Sequence, residues 1–262
     1  MRHIDWPPPR SAIAATFDRR AGVYDESALH QFLTRRAVEE ADLFPRMNVL
    51  DLASGSGLAI RHVASSLKGQ GLFVAADIAR DLLKSARPTA HAIVADADAL
   101  PFTAGAFDLV LCVSAFAYFP DPVAVLKEIR SLLRENGQLV FQVYAADGHV
   151  PHRVFRRTAM QFGLMFTDPD VRLGSEENCL TALEAAGFPS AHIVSDVWTS
   201  NLPSAEDFWN NNAPLFADVI AGIPEETARA WRGEFFTAYE KERRALAGVD
   251  RQAVFFVKAS PH

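Results

Sequence analysis

Three carboxylates, Asp51, Asp77 and Asp96, stand just beyond apolar runs that read as successive β-strands, and their placement matters more than their number. A carboxylate at the carboxyl end of a parallel strand faces the crevice where open α/β sheets hold ligands, and there it accepts hydrogen bonds from hydroxyl or amino groups. After the first of them the chain breaks into small residues, Ala53-Ser54-Gly55-Ser56-Gly57. Glycine at 55 and 57 frees the backbone torsions and removes side-chain bulk, so a ligand can approach the main chain. Leu58-Ala59-Ile60-Arg61-His62-Val63-Ala64 then begins a helix whose unpaired N–H groups face that turn. Asp77 follows Gly57 by 20 residues, the spacing at which an acid after the second strand reaches ribose hydroxyls. Each acid alone has a simpler role as a cap of the next helix, but the three together with the glycine turn point to a nucleotide-type cofactor. Ile60 stands where a dinucleotide fingerprint has a third small residue, which argues against a pyrophosphate loop and so against a nicotinamide-dependent oxidoreductase.

These residues need a scaffold of alternating strands and helices, and the pattern supplies one. Strands are expected at 48–52, 71–77, 92–95, 107–113 and 138–144, with helices at 58–67, 80–86 and 123–133 between them. The strands are apolar throughout, as in Leu72-Phe73-Val74-Ala75 and Leu109-Val110-Leu111, which marks a sheet covered on both faces. Such alternation predicts an α/β fold with a doubly wound, mostly parallel sheet and right-handed crossovers. Before it, residues 11–42 read as helical with a break at Ala21-Gly22-Val23-Tyr24-Asp25, a candidate lid. After it come a helix capped by Ser175 and stopped by Gly187, a strand at 191–198, and a last strand at 251–258. The intervening stretch, with Phe208-Trp209, Leu215-Phe216 and Trp231 to Tyr239, is too long for a bare loop and predicts two or three helices. The expected organisation is therefore an N-terminal helical lid at 1–45, an α/β core at 46–198 plus 251–262, and a helical cap insert at 199–250.

Composition sets the limits. A chain of 262 residues, 49% hydrophobic, buries a full core. Its net charge of −6, with both signs interspersed, lacks the basic face of a nucleic-acid binder. Cys112 and Cys179 form no C-x-x-C pair, which fits a reducing compartment without structural zinc. No apolar run reaches the roughly 18 residues of a membrane span and the first ten residues carry no signal core, so the cytoplasm is the expected location. A homo-oligomer is compatible with the sequence.

In order along the chain, these motifs resemble the class I S-adenosylmethionine-dependent methyltransferases, especially the ubiquinone and menaquinone biosynthesis C-methyltransferase branch. Val49 to Gly57 is similar to the family's first motif, and Ala76-Asp77-Ile78 with Leu82-Leu83-Lys84-Ser85-Ala86-Arg87 to its second. Ala95-Asp96-Ala97-Asp98-Ala99-Leu100-Pro101-Phe102, leading into Phe107-Asp108-Leu109-Val110, resembles the third. Glu135-Asn136-Gly137 departs from the Pro-Gly-Gly that the family usually has before the fifth strand. The flanks Phe17-Asp18-Arg19-Arg20-Ala21 and Leu183-Glu184-Ala185-Ala186-Gly187-Phe188 fit as well, whereas 199–250 is unspecified.

The resemblance implies S-adenosyl-L-methionine as cofactor. It implies that Asp51, Ala53, Gly55, Ser56 and Gly57 surround the methionine portion and ribose, with Ser56 beside the cofactor. Asp77 binds the ribose hydroxyls, Ile78 packs on the adenine, Asp96 accepts from its amino group and Ala97 adds a backbone contact. Cys112, Val113 and Ser114 line the methionine side. Charge complementarity agrees, since a sulfonium favours electronegative surroundings and a carboxylate favours helix N-terminal amides.

Methyl transfer to a small, largely apolar or aromatic acceptor needs chiefly a nucleophile held in line and shielded from water. A protein base is optional, with His149, His152 and Tyr24 as candidates and Tyr144 nearby, although a loop hydrogen-bonding role suits either histidine. Pro151 argues against helical spacing of the histidine pair, and no metal site is expected. His30, His62 and His91 read as ordinary fold residues. The aromatic residues Trp209, Phe216, Trp231, Phe235, Phe236 and Tyr239 mark a helical packing face that, as a cap, would also present some of them to a substrate; Phe162 to Phe166 reads the same way. Alternatives are a non-methylating enzyme on the same fold, such as a cyclase, and a binding or scaffold protein, which loss of two of the three acids would have favoured.

Overall fold

Strands that are apolar on both faces form where alternate side chains find separate cores, and the sheet of this protein does that. In the computed structural model, which describes residues 1–4, 6–22 and 24–262, Leu50, Val110 and Phe141 bury into one cluster while Val49, Leu109 and Val140 bury into another. Val23, inside the expected break of the N-terminal helices, lies outside the described residues. The order along the chain is β1 (Arg2–Ile4), α1 (Arg10–Asp18), α2 (Ala28–Glu39), β2 (Met47–Leu52), α3 (Leu58–Ser66), β3 (Gly71–Asp77), α4 (Arg80–Leu83) and β4 (His91–Val94). It continues with β5 (Phe107–Val113), α5 (Pro122–Leu132), β6 (Leu133–Tyr144), α6 (Val150–Gln161), β7 (Leu164–Phe166), α7 (Glu176–Ala185) and β8 (Ser190–Asn201). Then follow α8 (Ala205–Asn212), α9 (Ala217–Ala221), α10 (Glu225–Ala245) and β9 (Val249–Ser260).

Seven strands make the main sheet in the order β4-β3-β2-β5-β6-β9-β8. The first five are parallel, and β9 runs antiparallel to both β6 and β8. The order reverses between β2 and β5, and at such a switch point the connections leave in opposite directions and open a crevice at the carboxyl ends. Ser175 caps α7 through its side chain as expected, Asp121 caps α5 in the same way, and Gly57 enters α3 with a left-handed φ of 80°.

Three differences from the sequence reading stand out. Residues 150–161 form a helix with Pro151 in its first turn, where a missing N–H costs nothing, so the proline does not break the spacing of His149 and His152. A two-stranded sheet pairs β1 with β7, joining termini of two segments that no local pattern links. β8 and β9 also run longer than expected, pairing from Ser190–Ser260 to Asn201–Val249, so residues 199–201 and 249–250 are strand. The helices between them pack with α6 and β7 in an aromatic cluster of their own around Phe155, Trp209, Trp231 and Phe235. Among the described residues no helix is long and apolar enough to cross a membrane.

Candidate functional site: a cofactor cleft joined to a larger chamber

A cleft of about 740 Å³, its open mouth included, lies at the switch point. Its wall takes Ala53 and Gly55 from the turn after β2, Asp77 and Ile78 from the end of β3, Asp96 and Ala97 after β4, and Val113 and Ser114 from β5. Eight of the twelve cofactor-site residues expected from sequence are thus brought to one surface. Two of them, Ala53 and Ser114, have left-handed φ values of 53° and 57° without being glycine. Backbone held in that region costs on the order of 1–3 kcal/mol and persists where surrounding contacts impose it. Here the Gln142 side-chain oxygen accepts from both the backbone N–H (3.1 Å) and the hydroxyl (2.9 Å) of Ser114.

Asp77 accepts from the backbone N–H of Gly55 and of Ala79, each at 2.7 Å, and so ties the glycine turn to the end of β3. Burial pushes its carboxyl above the ordinary value while these amides oppose the shift. Asp51 lies beneath the turn, 2% exposed, and accepts from the Ile60 N–H at 3.2 Å. Burial, reinforced by the charge of Asp77, raises its carboxyl to about 7.

The other four expected residues lie off the cleft wall. Asp51 borders a smaller cavity beside it with Ser54, Leu58 and Ala59. Ser56 turns away to donate to Asp25, which also pairs with Arg61. Gly57 serves packing, because a Cβ there would sit 2.6 Å from that of Ala86. Cys112 has no exposed surface and packs among the core side chains, because its position in β5 points opposite to Leu111 and Val113, so it does not line the methionine side.

Residues of the N-terminal segment complete the cleft, among them Tyr24, a base candidate by sequence, and Arg10, which the sequence did not single out. Arg10, at the start of α1, pairs through Nε with Asp96 at 2.7 Å and through its terminal nitrogen with Asp98, laying α1 across the end of the cleft that Asp96 borders. Asp18 accepts from the N–H groups of Asp81 (2.7 Å) and Leu82 (3.1 Å), fastening the other end of α1 to α4. Ile13, Phe17 and Tyr24 form the underside of this cover. Helix periodicity identifies α1, but no local signal says which sheet edge it crosses.

A second chamber, about 1,750 Å³ with its open mouth, shares Phe17, Tyr24, Ser114, Ala115 and Tyr118 with the cleft. His149 and His152, half-buried with ring centroids 4.4 Å apart, lie on its wall rather than in a surface loop. Burial lowers His152 to about 4 and His149 well below its usual range, so both are neutral at physiological pH. His30, expected to be an ordinary fold residue, stacks on Tyr24 at 4.2 Å and faces the same chamber with its Nδ1 unpaired. Of the insert aromatics Phe208 lines the chamber, whereas Trp209, Phe216, Trp231, Phe235, Phe236 and Tyr239 pack on one another instead. The chamber takes its aromatic surface from Trp6, Phe17, Phe116, Tyr118 and Phe208.

The donor set fits S-adenosylmethionine. The Ser54 hydroxyl is buried without a partner beside the α3 N-terminus, where a ligand carboxylate or amino group would engage it. Gly55 lines the cleft with a left-handed φ of 56°, a conformation that brings the backbone of the turn to the cleft wall.

A family model described as a methyltransferase domain matches residues 50–141, the segment carrying β2 to β6. Nocamycin O-methyltransferase of Saccharothrix syringae is 26% identical over 78% of this chain and 83% of its own length. The ubiquinone/menaquinone biosynthesis C-methyltransferase UbiE of Shewanella frigidimarina is 28% identical over 53% of this chain and 58% of its own. Matches to other curated relatives span 51% to 64% of their length. Among solved structures, a Haemonchus contortus phosphoethanolamine N-methyltransferase in complex with S-adenosyl-L-methionine shares the fold with a TM-score of 0.53 and 15% identity, over 97% of this chain and 57% of that one. The motif order, the switch-point cleft and these matches agree in supporting a class I S-adenosylmethionine-dependent methyltransferase, with residues 50–141 as its methyltransferase domain.

Proposed function

We propose that this enzyme transfers a methyl group from S-adenosylmethionine to a small acceptor, largely aromatic, held in the larger chamber. The observation that carries the reading is the common wall: Phe17, Tyr24, Ser114, Ala115 and Tyr118 border both spaces, so a group in one lies next to a group in the other. When bound, the cofactor supplies an electrophilic methyl on a sulfonium. The protein supplies position. Asp77 offers oxygen lone pairs to the ribose hydroxyls, Ile78 packs on the base, Ala97 adds a backbone contact, and Asp96 faces the base's amino group. Alignment and exclusion of water then account for most of the acceleration, since orientation alone is worth roughly 7–11 kcal/mol. The chamber histidines are neutral but weakly basic, since burial lowers both well below the operating pH at which general-base help is greatest, so positioning carries the larger share.

The relatives' names specify methylation at oxygen and at carbon, which supports a small-molecule acceptor and leaves the atom to the chamber contents. Both cysteines are buried and unpaired, which supports the cytoplasm as the site of action. Calorimetry tests the cofactor: S-adenosylmethionine and S-adenosylhomocysteine are expected to bind in the micromolar range and a nicotinamide dinucleotide not at all. Incubation with methyl-labelled cofactor and a panel of aromatic acceptors is expected to release S-adenosylhomocysteine. Conversion of an acceptor without that release would assign the fold to non-methylating chemistry.

A further inference from the structure

The chamber contains a cation that the methyl-transfer reading does not use. Arg20, just past α1, lies over the Phe17 ring at 5.2 Å from its centroid and donates to the Asn211 carbonyl at 3.2 Å. Among the described residues it meets no carboxylate. A guanidinium has five N–H donors, so one carbonyl leaves most of the fork unfilled. Gln142, fully buried at the chamber floor, adds a second open donor, because its oxygen is taken by Ser114 while its Nε2 has no partner.

Among the described residues no other titratable group on the chamber wall pairs with Arg20. Burial holds His30 and His152 at about 4 and His149 well below its usual range, so none carries charge at neutral pH. Among the described residues Asp170 is the one carboxylate on the wall, and burial, with the charge of Asp168, raises its carboxyl, opposed by Arg156 and Arg172. A single guanidinium fork with one carbonyl partner suits a ligand carrying one planar anionic group.

On the methyl-transfer reading, we infer that the acceptor is a planar aromatic monocarboxylate, its anion paired with Arg20 and its ring against the aromatic wall of Trp6, Tyr118 and Phe208. The fork of an arginine matches a carboxylate in two parallel hydrogen bonds, and the tilted Trp6–Tyr118 pair, 5.6 Å between centroids, presents flat apolar surface alongside.

Fluorescence titration of the chain saturated with S-adenosylhomocysteine tests this. The probes are 1-hydroxy-2-naphthoate, its neutral relative 1-naphthol, and the dianion 1-naphthyl phosphate. The naphthoate is expected to bind at least about fivefold tighter than either other probe, the scale of one charge-assisted pair at a half-exposed site. In Arg20→Ala that preference is expected to vanish, and in Arg20→Lys to survive in part, with 1-naphthol unchanged in both. Losing the Asn211 contact would weaken all probes in proportion, so a proportional loss overturns the inference. So do an anion preference that persists in Arg20→Ala, tighter binding of the phosphate, or no naphthoate binding to a chain that still binds S-adenosylhomocysteine. Failure to bind S-adenosylhomocysteine at all would instead sink the methyltransferase reading.

Discussion

Asp77 and Asp51 are both buried acids near the glycine turn, yet their surroundings give them different tasks. Asp77 holds two backbone amides and offers what remains of its carboxylate to the cleft, so Asp77→Ala has two costs. Cofactor affinity is expected to fall at least tenfold, as for one charge-assisted bond of about 1.5–3 kcal/mol. The stranded amides of Gly55 and Ala79 lower thermal stability too, by about 2–4 °C for each kcal/mol lost. Calorimetry and a thermal melt on the same variant check both, and unchanged affinity in a folded variant would move the ribose role elsewhere. Asp51 carries a pH signature. Its folded value, raised to about 7 from the ordinary 3.8, means that the folded chain binds this proton more tightly than the unfolded one. The destabilisation is absent below about pH 4, grows as pH rises through the interval to 7, and is constant above it. Asp51→Asn removes it, so the variant's stability relative to the parent is expected to rise by a few kcal/mol from pH 4 to 7.5, at about 1.4 kcal/mol per pKa unit. Urea unfolding at both pH values decides it; parallel pH dependence in the two proteins would show that Asp51 titrates normally.

At the scale of elements, the two glycines of the β2–α3 turn separate binding from folding. Gly57 has φ of 80°, and a Cβ there would meet Ala86 Cβ at 2.6 Å and its Cα at 3.0 Å, so Gly57→Ala combines strain with a clash against backbone. Gly55 has φ of 56°, and its nearest neighbour, Leu82 Cδ2, is at 3.4 Å, an ordinary contact. Gly57→Ala is therefore expected to lose the more stability, on the order of 1–3 kcal/mol, and Gly55→Ala the more cofactor affinity. The opposite ranking in melts and calorimetry would reverse these roles. The N-terminal helices form a cover fastened at three points: Arg10 on Asp96 and Asp98, Asp18 on α4, and Asp25 on Ser56 and Arg61. Asp25→Asn weakens one fastening, so trypsin is expected to cut at Arg19 and Arg20 faster than in the parent, and S-adenosylhomocysteine to suppress the difference. A cleavage rate unaffected by either would mean that the cover is held by its apolar underside alone.

The whole molecule consists of a sheet with two cores and a cap with its own. Trp231 is fully buried in the cap, packed on Phe155 at 4.8 Å between centroids and donating to the Thr158 hydroxyl at 3.3 Å. Trp231→Ala is expected to cost about 3–5 kcal/mol. If residues 202–248 with α6 are a cooperative unit distinct from the sheet, hydrogen exchange speeds up in α6, α8 and α10 while S-adenosylhomocysteine binds within about twofold of the parent. Uniform acceleration across the sheet would make the protein a single unit.

What the sequence determined was local. The ends of β3 and β5, the Ser175 cap and the glycine turn were legible because strand hydrophobicity, capping chemistry and torsional freedom act over a few residues. The order of three acids at strand ends was legible for the same reason, since a parallel sheet brings successive strand ends to one edge. The tertiary structure alone decided the rest. Cys112 and Val113 are neighbours in sequence, but only strand register and the flanking helices turn the first into the core and the second toward the cleft. The insert aromatics were recognisable as an amphipathic face, yet whether they met a substrate or one another depended on where α6 and β7 pack. Arg10, Arg20 and His30 reach the site from a segment whose own pattern specifies helices and nothing about the sheet edge they cross. Contacts between residues far apart in the chain are set by the sum of many packing terms, and no short window of sequence contains that sum.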